Sequence, residues 1–546
     1  MSRLSIAALQ SNPVMGDLAG NAAAILDARA RAADADLLVT PELSLIGYPP
    51  EDLVLKPALV EAAEAEVARL AAATATPGPG LLVGTTHRTP QGLHNGYALL
   101  DEGRLIAVST KHDLPNYGVF DEKRVFEPGR LPDPVLFRGV KLGLPICEDM
   151  WTAPVCRHLA RMGADLLIVP NGSPYEIGKE ERRLALARAR VRETGLALLY
   201  VNRTGGQDEL VFDGGSFALN PDGQVMARLA DWDEALVRLE WRRAEGFAPG
   251  AIHLPDRGPE EIYHAMLVGL RDYVTRNRFP GVVLGLSGGI DSALSAAVAV
   301  DALGPERVWC VMLPSRFTSI ESREDAQACA RLLGARLDTI PIEPGMAALD
   351  TMLAPHFGNH PPDLAQENIQ SRLRMVTLMA LSNRFGHMLL TTGNKSELSV
   401  GYATLYGDMA GGYSVLKDAY KTTVFMLSRW RNAHRPRLGL GPEGPVMPDR
   451  VIEKSPSAEL RENQKDEDSL PPYEILDPIL EGLVEEELSA AEVSARGFDP
   501  ETVARIERLL YVAEYKRRQA PPGVKIGPRH FGRDRRYPVT NAFRTS

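Results

Sequence analysis

"LGLSGGIDSAL", residues 284–294, sets three glycines and two serines around one aspartate, with an apolar run before it and a helix-like run after it. A glycine-rich turn between a strand and a helix exposes backbone N–H groups at a helix N-terminus, which makes an anion site. Small residues let that backbone approach the anion closely. Two familiar phosphate turns are excluded by the letters themselves. "GxxxxGK[ST]" is absent, since no lysine follows the glycines, and "GxGxxG" is missing.

Outward from this turn, strands and helices alternate. "VVLGLSGG" and "VWCVMLP" read as strands, and "DSALSAAVAVDAL" and "ESREDAQACARLLG" as helices. "LDTIPIEP" and "HMLLTTGNKSE" continue the pattern, and "EEIYHAMLVGLRDYVTRN" reads as a helix ahead of it. The alternation predicts an α/β domain over residues 261–546. Upstream, "LSIAALQ", "ADLLVTPE", "GLLVGTTH", "VKLGLPICED", "ADLLIVPNGS" and "LALLYVNRTG" read as strands ending in polar residues. "AAAILDARARAA" and "EERRLALARARVRETG" read as helices between them, giving a first α/β domain over residues 1–243. The Gly/Pro-rich stretch 244–260 is expected to link the two. Residues 436–472, Pro/Gly-rich and then charged, are expected to form a long loop or lid. The final stretch from "YKRRQAPP" onward is strongly basic. It reads either as a solvated tail, as an oligomer contact, or as a segment whose first residues meet phosphates.

A chain of 546 residues is too long for one ordinary core, which agrees with two domains. It is 44% hydrophobic and 24% charged, as a globular protein should be. The formal net charge of -10 argues against nonspecific nucleic-acid binding. No apolar run reaches membrane-span length, and the N-terminus lacks a signal-peptide core. Four cysteines without CxxC spacing make neither a disulfide framework nor a zinc site, so a reducing cytoplasm is expected.

In open α/β folds ligands gather beyond the carboxyl ends of strands. Three such ends carry reactive side chains: Glu42 in "VTPELSL", Lys111 in "VSTKHDL" and Cys147 in "LGLPICEDMW". A cysteine attacks a carbonyl as thiolate and needs a base, which Glu42 could supply. A lysine ammonium can stabilise the resulting oxyanion.

These three words, in this order, resemble the nitrilase superfamily, and the resemblance covers the first ~240 residues. It implies a four-layer α-β-β-α sandwich, with Cys147 as nucleophile, Glu42 as general base and Lys111 as oxyanion support. "NGSPYEIGK" is similar to a segment of the glutamine-hydrolysing members. Ser173, Lys179 and Tyr117 then match positions that hold glutamine.

"SGGIDS" resembles the pyrophosphate-loop signature of ATP pyrophosphatases, which adenylate a substrate while releasing pyrophosphate. "ENIQSRLRM", "LLTTGNKSELSVGYATLYGDMAGGYSVLKD", "KSPSAELRENQKDEDSLPPYEILD" and "EYKRRQAPP" narrow the resemblance to the NAD synthetase family. The fold implied is a Rossmann-like, doubly wound parallel sheet with a pyrophosphate loop. Gly285, Leu286, Ser287, Gly288, Gly289, Ile290, Asp291 and Ser292 are then expected at ATP, with Thr392, Lys421 and Ser457. Asn368, Arg372, Glu397 and Lys516 are expected on the deamido-NAD⁺ side, and Asp291 and Glu397 at Mg²⁺, a hard cation that takes carboxylate and phosphate oxygens.

Joined, the two resemblances imply a ligase that draws ammonia from L-glutamine through a Cys147 thioester. The ammonia passes along a closed tunnel and amidates adenylated deamido-NAD⁺. Small-molecule substrates, Mg²⁺, ATP as co-substrate and large homo-oligomers, octamers among bacterial members, come with the resemblance. Nucleic-acid and membrane partners do not. Two alternatives stay open at this point: ATP-dependent amidation of a different carboxylate, and an amidase fused to a regulatory nucleotide-binding module.

Overall fold

The structure is a computed structural model, and it describes residues 3–358, 360–361, 363–461, 464 and 470–543. The chain divides into two compact units, Met1–Asp256 and Arg257–Ser546.

The first unit is built on two sheets. One has seven strands in the order Gly246–Phe247, Ala235–Arg242, Arg3–Gln10, Leu37–Val39, Gly80–Thr89, Gly92–Asp101, Arg104–Thr110. The other has six, in the order Val225–Arg228, Phe217–Leu219, Ala197–Asn202, Leu166–Asn171, Val140–Gly143, Val135–Phe137. The apolar alternation explains the layering. Leu4, Ile6 and Ala8 of one sheet meet Leu166, Ile168, Leu199 and Val201 of the other in a shared core. The intervening Ala7 and Leu9 turn outward onto Ala22 and Ile25 of helix Leu18–Arg31 and Ala63 and Leu70 of helix Pro57–Ala73. Leu167 and Val169 do the same with Val155 and Leu159 of helix Pro154–Arg161 and Ala187 and Val191 of helix Lys179–Thr194. Strands buried on both faces read as continuous apolar runs. The result is the expected α-β-β-α sandwich. Within the stretch expected as linker, Gly246–Phe247 pairs with Trp241 and Arg242 as an edge strand.

The second unit holds a five-stranded sheet in the order Arg336–Thr339, Val308–Met312, Val282–Gly285, Met388–Thr391, Tyr413–Ser414, with every pairing parallel. Strand order reverses between Val282–Gly285 and Met388–Thr391, the switch point where such sheets open a crevice. Helix Ile290–Leu303 starts there and is apolar almost all round, because it is covered on all sides. Its buried Asp301 accepts from Tyr263 Oη at 2.6 Å and from Arg431 Nε at 2.7 Å, which ties helices Pro259–Arg276 and Lys421–Ala433 to it.

The stretch 436–472 is more structured than a plain loop. Asp449–Glu453 is helical, and Arg431 holds the carbonyls of Pro442 and Gly444. Much of its charged run, residues 462–463 and 465–469, lies outside the described residues. The basic C-terminal stretch is not a solvated tail over its first part. Lys525, His530, Phe531 and Arg535 are buried, and Gly523 forms a parallel bridge with Ser414 at the sheet edge.

Candidate functional site

In the first unit, Glu42 and Lys111 meet below the carboxyl ends of their strands, both side chains fully buried. Lys111 Nζ donates to Glu42 Oε1 at 2.8 Å and to Glu122 Oε1 at 2.8 Å. Asn95 Nδ2 also donates to Glu42 Oε1, at 2.8 Å, and the Gly172 N–H donates to Oε2 at 2.7 Å. Gly172 must be glycine for that approach, since a Cβ there would lie 2.7 Å from the Tyr48 ring and 3.1 Å from Glu42 Oε2. Burial disfavours the Lys111 charge, but Glu122, Glu42 and Cys147 outweigh it and hold the ammonium well above its usual range.

Cys147 opens a short 3₁₀ helix, Cys147–Met150, four residues beyond the end of strand Val140–Gly143. Its φ is 46°, a left-handed backbone that a non-glycine residue adopts only when its surroundings enforce it. The thiol is buried. Burial and the Glu42 charge push its proton affinity well up, with Lys111 opposing. A thiol in that environment rests protonated, so its use as a nucleophile requires a base at hand, and Glu42 is the carboxylate whose charge acts most strongly on it.

At the rim, Tyr117 Oη donates to Glu148, 3.1 Å from each carboxylate oxygen. Lys179 stands over the rings of Phe120 and Trp151. Ser173 lies deeper: its hydroxyl accepts from Arg183 Nε at 3.1 Å and its N–H donates to Asn202 Oδ1 at 3.0 Å. Three acids at this site went unremarked in the sequence. Glu122 lies in the stretch "NYGVFDEKRVF" that follows the Lys111 word, and Glu148 and Asp149 follow the cysteine directly. Burial pushes the carboxyls of Glu122 and Glu148 upward.

In the second unit, a cavity of about 310 Å³ opens at the switch point, and the whole run from Gly285 to Ser292 lines it. Thr392, Glu397, Lys421 and Ser457 line the same cavity. Gly288 has φ +85°, and a Cβ there would lie 2.2 Å from the Ser322 carbonyl oxygen, so only glycine closes this turn. The serines hold the turn's shape: Ser292 Oγ accepts from Ser287 N at 3.1 Å, and Ser287 Oγ accepts from Gly289 N at 3.2 Å. Lys421 Nζ donates to Asp291 and lies 3.5 Å from Glu397 Oε1. Asn394, also missed in the sequence, donates to Asp291 Oδ1 at 2.9 Å while capping the helix that carries Glu397.

Asn368, Arg372 and Lys516 are not among the described residues lining the cavity. They converge instead on one loop bordering it. Asn368 Oδ1 accepts from Thr404 at 3.1 Å, Arg372 donates to the Leu405 carbonyl at 3.2 Å, and Lys516 donates to the carbonyls of Gly401 and Ala403 at 2.8 and 2.7 Å. Tyr402, Ala403, Gly407 and Asp408 of that loop line the cavity, as does Arg374, two residues after Arg372. Ser457 donates to the Gln464 carbonyl at 2.5 Å, a bond within its own loop.

The chain matches the carbon-nitrogen hydrolase family over residues 5–244 and the NAD synthase family over residues 262–520. It is 52% identical to the glutamine-dependent NAD(+) synthetase of Rhodobacter capsulatus over 99% of each chain. With that of Xanthomonas campestris pv. campestris it shares 46% identity over 99% of this chain and 98% of the relative. Among solved structures it resembles the glutamine-dependent NAD+ synthetase of Acinetobacter baumannii in complex with ADP, with 41% identity, a TM-score of 0.78 and full coverage of both chains. The structure from Cytophaga hutchinsonii, 23% identical with a TM-score of 0.82 over 99% of this chain and 98% of that one, shows the same fold. With both halves matched and relatives aligned end to end, the chain belongs to the glutamine-dependent NAD(+) synthetase family.

Proposed function

We propose that this ligase runs two reactions at the two sites described: glutamine hydrolysis in the first unit and ATP-dependent amidation of deamido-NAD⁺ in the second. One observation carries the reading. A single chain holds both the buried Glu42–Lys111 pair, with the buried Cys147 thiol in its field, and a pyrophosphate-type turn opening into a cavity.

In the first unit, Glu42 takes the Cys147 proton as sulfur attacks the glutamine amide. The Lys111 ammonium, held charged by two carboxylates, faces the negative charge that develops on the carbonyl oxygen. Glu148 and Lys179 supply opposite charges at the rim, which suits a zwitterionic amino acid, and Tyr117 aligns Glu148. Ser173 serves by shaping the pocket wall through Arg183 and Asn202.

In the second unit, the turn Gly285–Ser292 receives the ATP phosphates, with Thr392, Lys421 and Ser457 around them. Asp291 and Glu397 come from different elements and converge on Lys421, a donor set of carboxylate oxygens that fits Mg²⁺. Mg²⁺ would supply charge neutralisation on the leaving pyrophosphate. Asn368, Arg372 and Lys516 shape the dinucleotide side by fixing the 401–405 loop. A carboxylate is a poor electrophile, and adenylation gives it a good leaving group before ammonia attacks. Passage of ammonia inside the protein belongs to this reading, because ammonia released to water is protonated and loses its nucleophilicity. Residence in the cytoplasm fits four buried free cysteines. Assembly into homo-oligomers, octamers included, has exposed apolar side chains to draw on, such as Leu136, Met352 and Val376.

The test is NAD⁺ formation from deamido-NAD⁺ and MgATP, with glutamine or ammonium as nitrogen source. AMP and pyrophosphate should appear in step with NAD⁺ from either source. Failure to form NAD⁺ from both sources would overturn the reading. NAD⁺ from ammonium alone would remove the glutaminase half.

A further inference from the structure

Asp149 has no exposed surface and, among the described residues, no hydrogen-bonded cation, yet its carboxylate accepts three backbone N–H groups from two separate loops. Oδ1 accepts the N–H groups of His112 at 3.0 Å and Asp113 at 2.7 Å, the two residues directly after Lys111. Oδ2 accepts the N–H of Ile146 at 2.9 Å, the residue directly before Cys147. The Asp149 N–H returns a bond to the Ile146 carbonyl at 3.0 Å, so Ile146 is clamped on both of its polar groups by one residue.

The position of this clamp is what gives it meaning. Cys147 sits between Ile146 and Asp149 with φ 46°, and no glycine is present to make that backbone cheap. A strained residue persists only where neighbours over-determine it. The four clamp bonds do so from one side chain and one N–H. Lys111 reaches Glu42 and Glu122 from the other loop, and its own main chain is pinned by Lys111 N to Asn95 O at 2.9 Å and Gly129 N to Lys111 O at 2.7 Å. Asp113 is further tied to the Cys147 side of the site by Thr152 Oγ1, which donates to Asp113 Oδ2 at 2.8 Å. Of the bonds that join the two loops, those to Asp149 Oδ1 lie nearest Lys111.

We infer that Asp149 is the positioning residue of the glutaminase site, a carboxylate bracket that fixes the register of the Lys111 loop against the Cys147 turn. It touches no reacting atom and acts through the placement of the Lys111 ammonium and the Cys147 sulfur. A carboxylate is required because all three partners are donors. An amide at the same place would turn an N–H₂ toward at least one backbone N–H, whichever way it is oriented. The inference rests on the reading of Cys147 as nucleophile.

The test compares Asp149→Asn, Asp149→Ala and Cys147→Ala in the full-length protein. Four quantities are read: glutaminase kcat and KM, the rate of Cys147 alkylation by iodoacetamide across pH, ammonium-driven NAD⁺ synthesis, and the thermal unfolding midpoint. Asp149→Asn should lower glutaminase kcat on the order of 100-fold, the cost of about 1 Å of misplacement, with KM changed far less. Asp149→Ala should lower it further. Both should alter the pH profile of Cys147 alkylation and leave ammonium-driven synthesis at the wild-type rate. Asp149→Asn with wild-type kcat and alkylation overturns the inference. Loss of ammonium-driven synthesis together with glutaminase in both variants also overturns it, because Asp149 is then a residue of the fold. Glutaminase surviving Cys147→Ala would overturn the nucleophile reading instead, a different and separately visible result.

Discussion

Replacing Lys395 by methionine tests whether the basic C-terminal segment is part of the synthetase core. The Lys395 ammonium is fully buried. It donates to Asp418 at 2.7 Å, to Glu485, and to the Arg529 carbonyl at 2.8 Å, with the rings of Tyr420 and Phe531 5.0 and 5.7 Å away. Methionine keeps the volume and removes the charge. Breaking a buried ion pair from one side costs about 3–5 kcal/mol. The lower end applies here, because the stranded acids keep other donors. Asp418 Oδ2 accepts from the Ile526 and Gly527 N–H groups at 2.8 and 2.7 Å, and Glu485 from Tyr420 Oη at 3.1 Å and Arg529 N at 2.8 Å. For a unit of this size, about 3 kcal/mol corresponds to a midpoint lowered by roughly 6–12 °C. The assay is thermal inactivation of ammonium-driven synthesis and of glutaminase in the same sample, with only the first midpoint expected to fall. The pH dependence has a definite sign. Burial alone would raise the Asp418 carboxyl, but Lys395, His530 and Lys525 hold it at about 2. Its folded value lies below the unfolded one, near 3.9, so its contribution is present above that pH and lost as pH falls toward 2. The gap between wild type and Lys395→Met should therefore be widest above pH ~4 and close in stronger acid. A synthetase midpoint within about 2 °C of wild type at neutral pH would refute the argument.

Cys147→Ala should abolish glutamine-driven NAD⁺ formation and spare ammonium-driven formation; Cys156, Cys310 and Cys329, all buried, should tolerate serine or alanine better. Asp291→Asn should stop AMP release with either nitrogen source while glutaminase turnover continues, and normal ammonium-driven rates would remove Asp291 from the metal assignment. In the 436–472 segment, tryptic cleavage after Lys454 and Arg461 should slow when MgATP and deamido-NAD⁺ are both present, and a cleavage pattern blind to both ligands would rule out a gate. Ser457→Ala removes one neutral hydrogen bond, worth roughly 0.5–1.5 kcal/mol, so the KM for ATP should rise no more than about tenfold, read from initial rates.

The parts of the site that could be read from the sequence are those where one contiguous word carries a whole local structure. "SGGIDS" contains a strand end, a turn that needs glycine at Gly288 and the first turn of a helix, so its letters already imply an anion cradle. Glu42, Lys111 and Cys147 each close a strand or follow one, and their words are distinctive. Glu122 is different. It is an acid in a loop until burial beside Lys111 gives it a role, and burial is a property of the fold. The C-terminal segment misleads for the converse reason. Its basic composition suggests solvent or phosphate, whereas acids inside and outside the segment neutralise part of it: Asp534 and Asp418 near Lys525, Glu514 on Arg535 and Glu487 on Arg529. The family resemblance matches Asn368, Arg372 and Lys516 to the dinucleotide side position by position, but a matched position does not report which partner a long side chain finds.

The two sites share one electrostatic device and use it in opposite ways. Each sets a buried lysine between two carboxylates: Lys111 between Glu42 and Glu122, and Lys421 between Asp291 and Glu397. At the first, the lysine and both acids are sealed, with side-chain exposures of 0%, 0% and 5%. The lysine is therefore a fixed charge held by its two acids, suited to stabilising an oxyanion that forms and decays in place. At the second, Lys421 is sealed at 2% but Asp291 and Glu397 are 18% and 19% exposed on the cavity wall. Both line the cavity, where a hard cation arriving with a nucleotide would meet them. Removing the lysine should therefore have different consequences. Lys111→Met strands two buried carboxylates that magnesium does not reach, and glutaminase should be lost at any magnesium concentration. Lys421→Met leaves two reachable acids, and part of the lost ammonium-driven synthesis should return as magnesium is raised. Equal insensitivity of both variants to magnesium would show that the exposure of Asp291 and Glu397 has no bearing on the reaction.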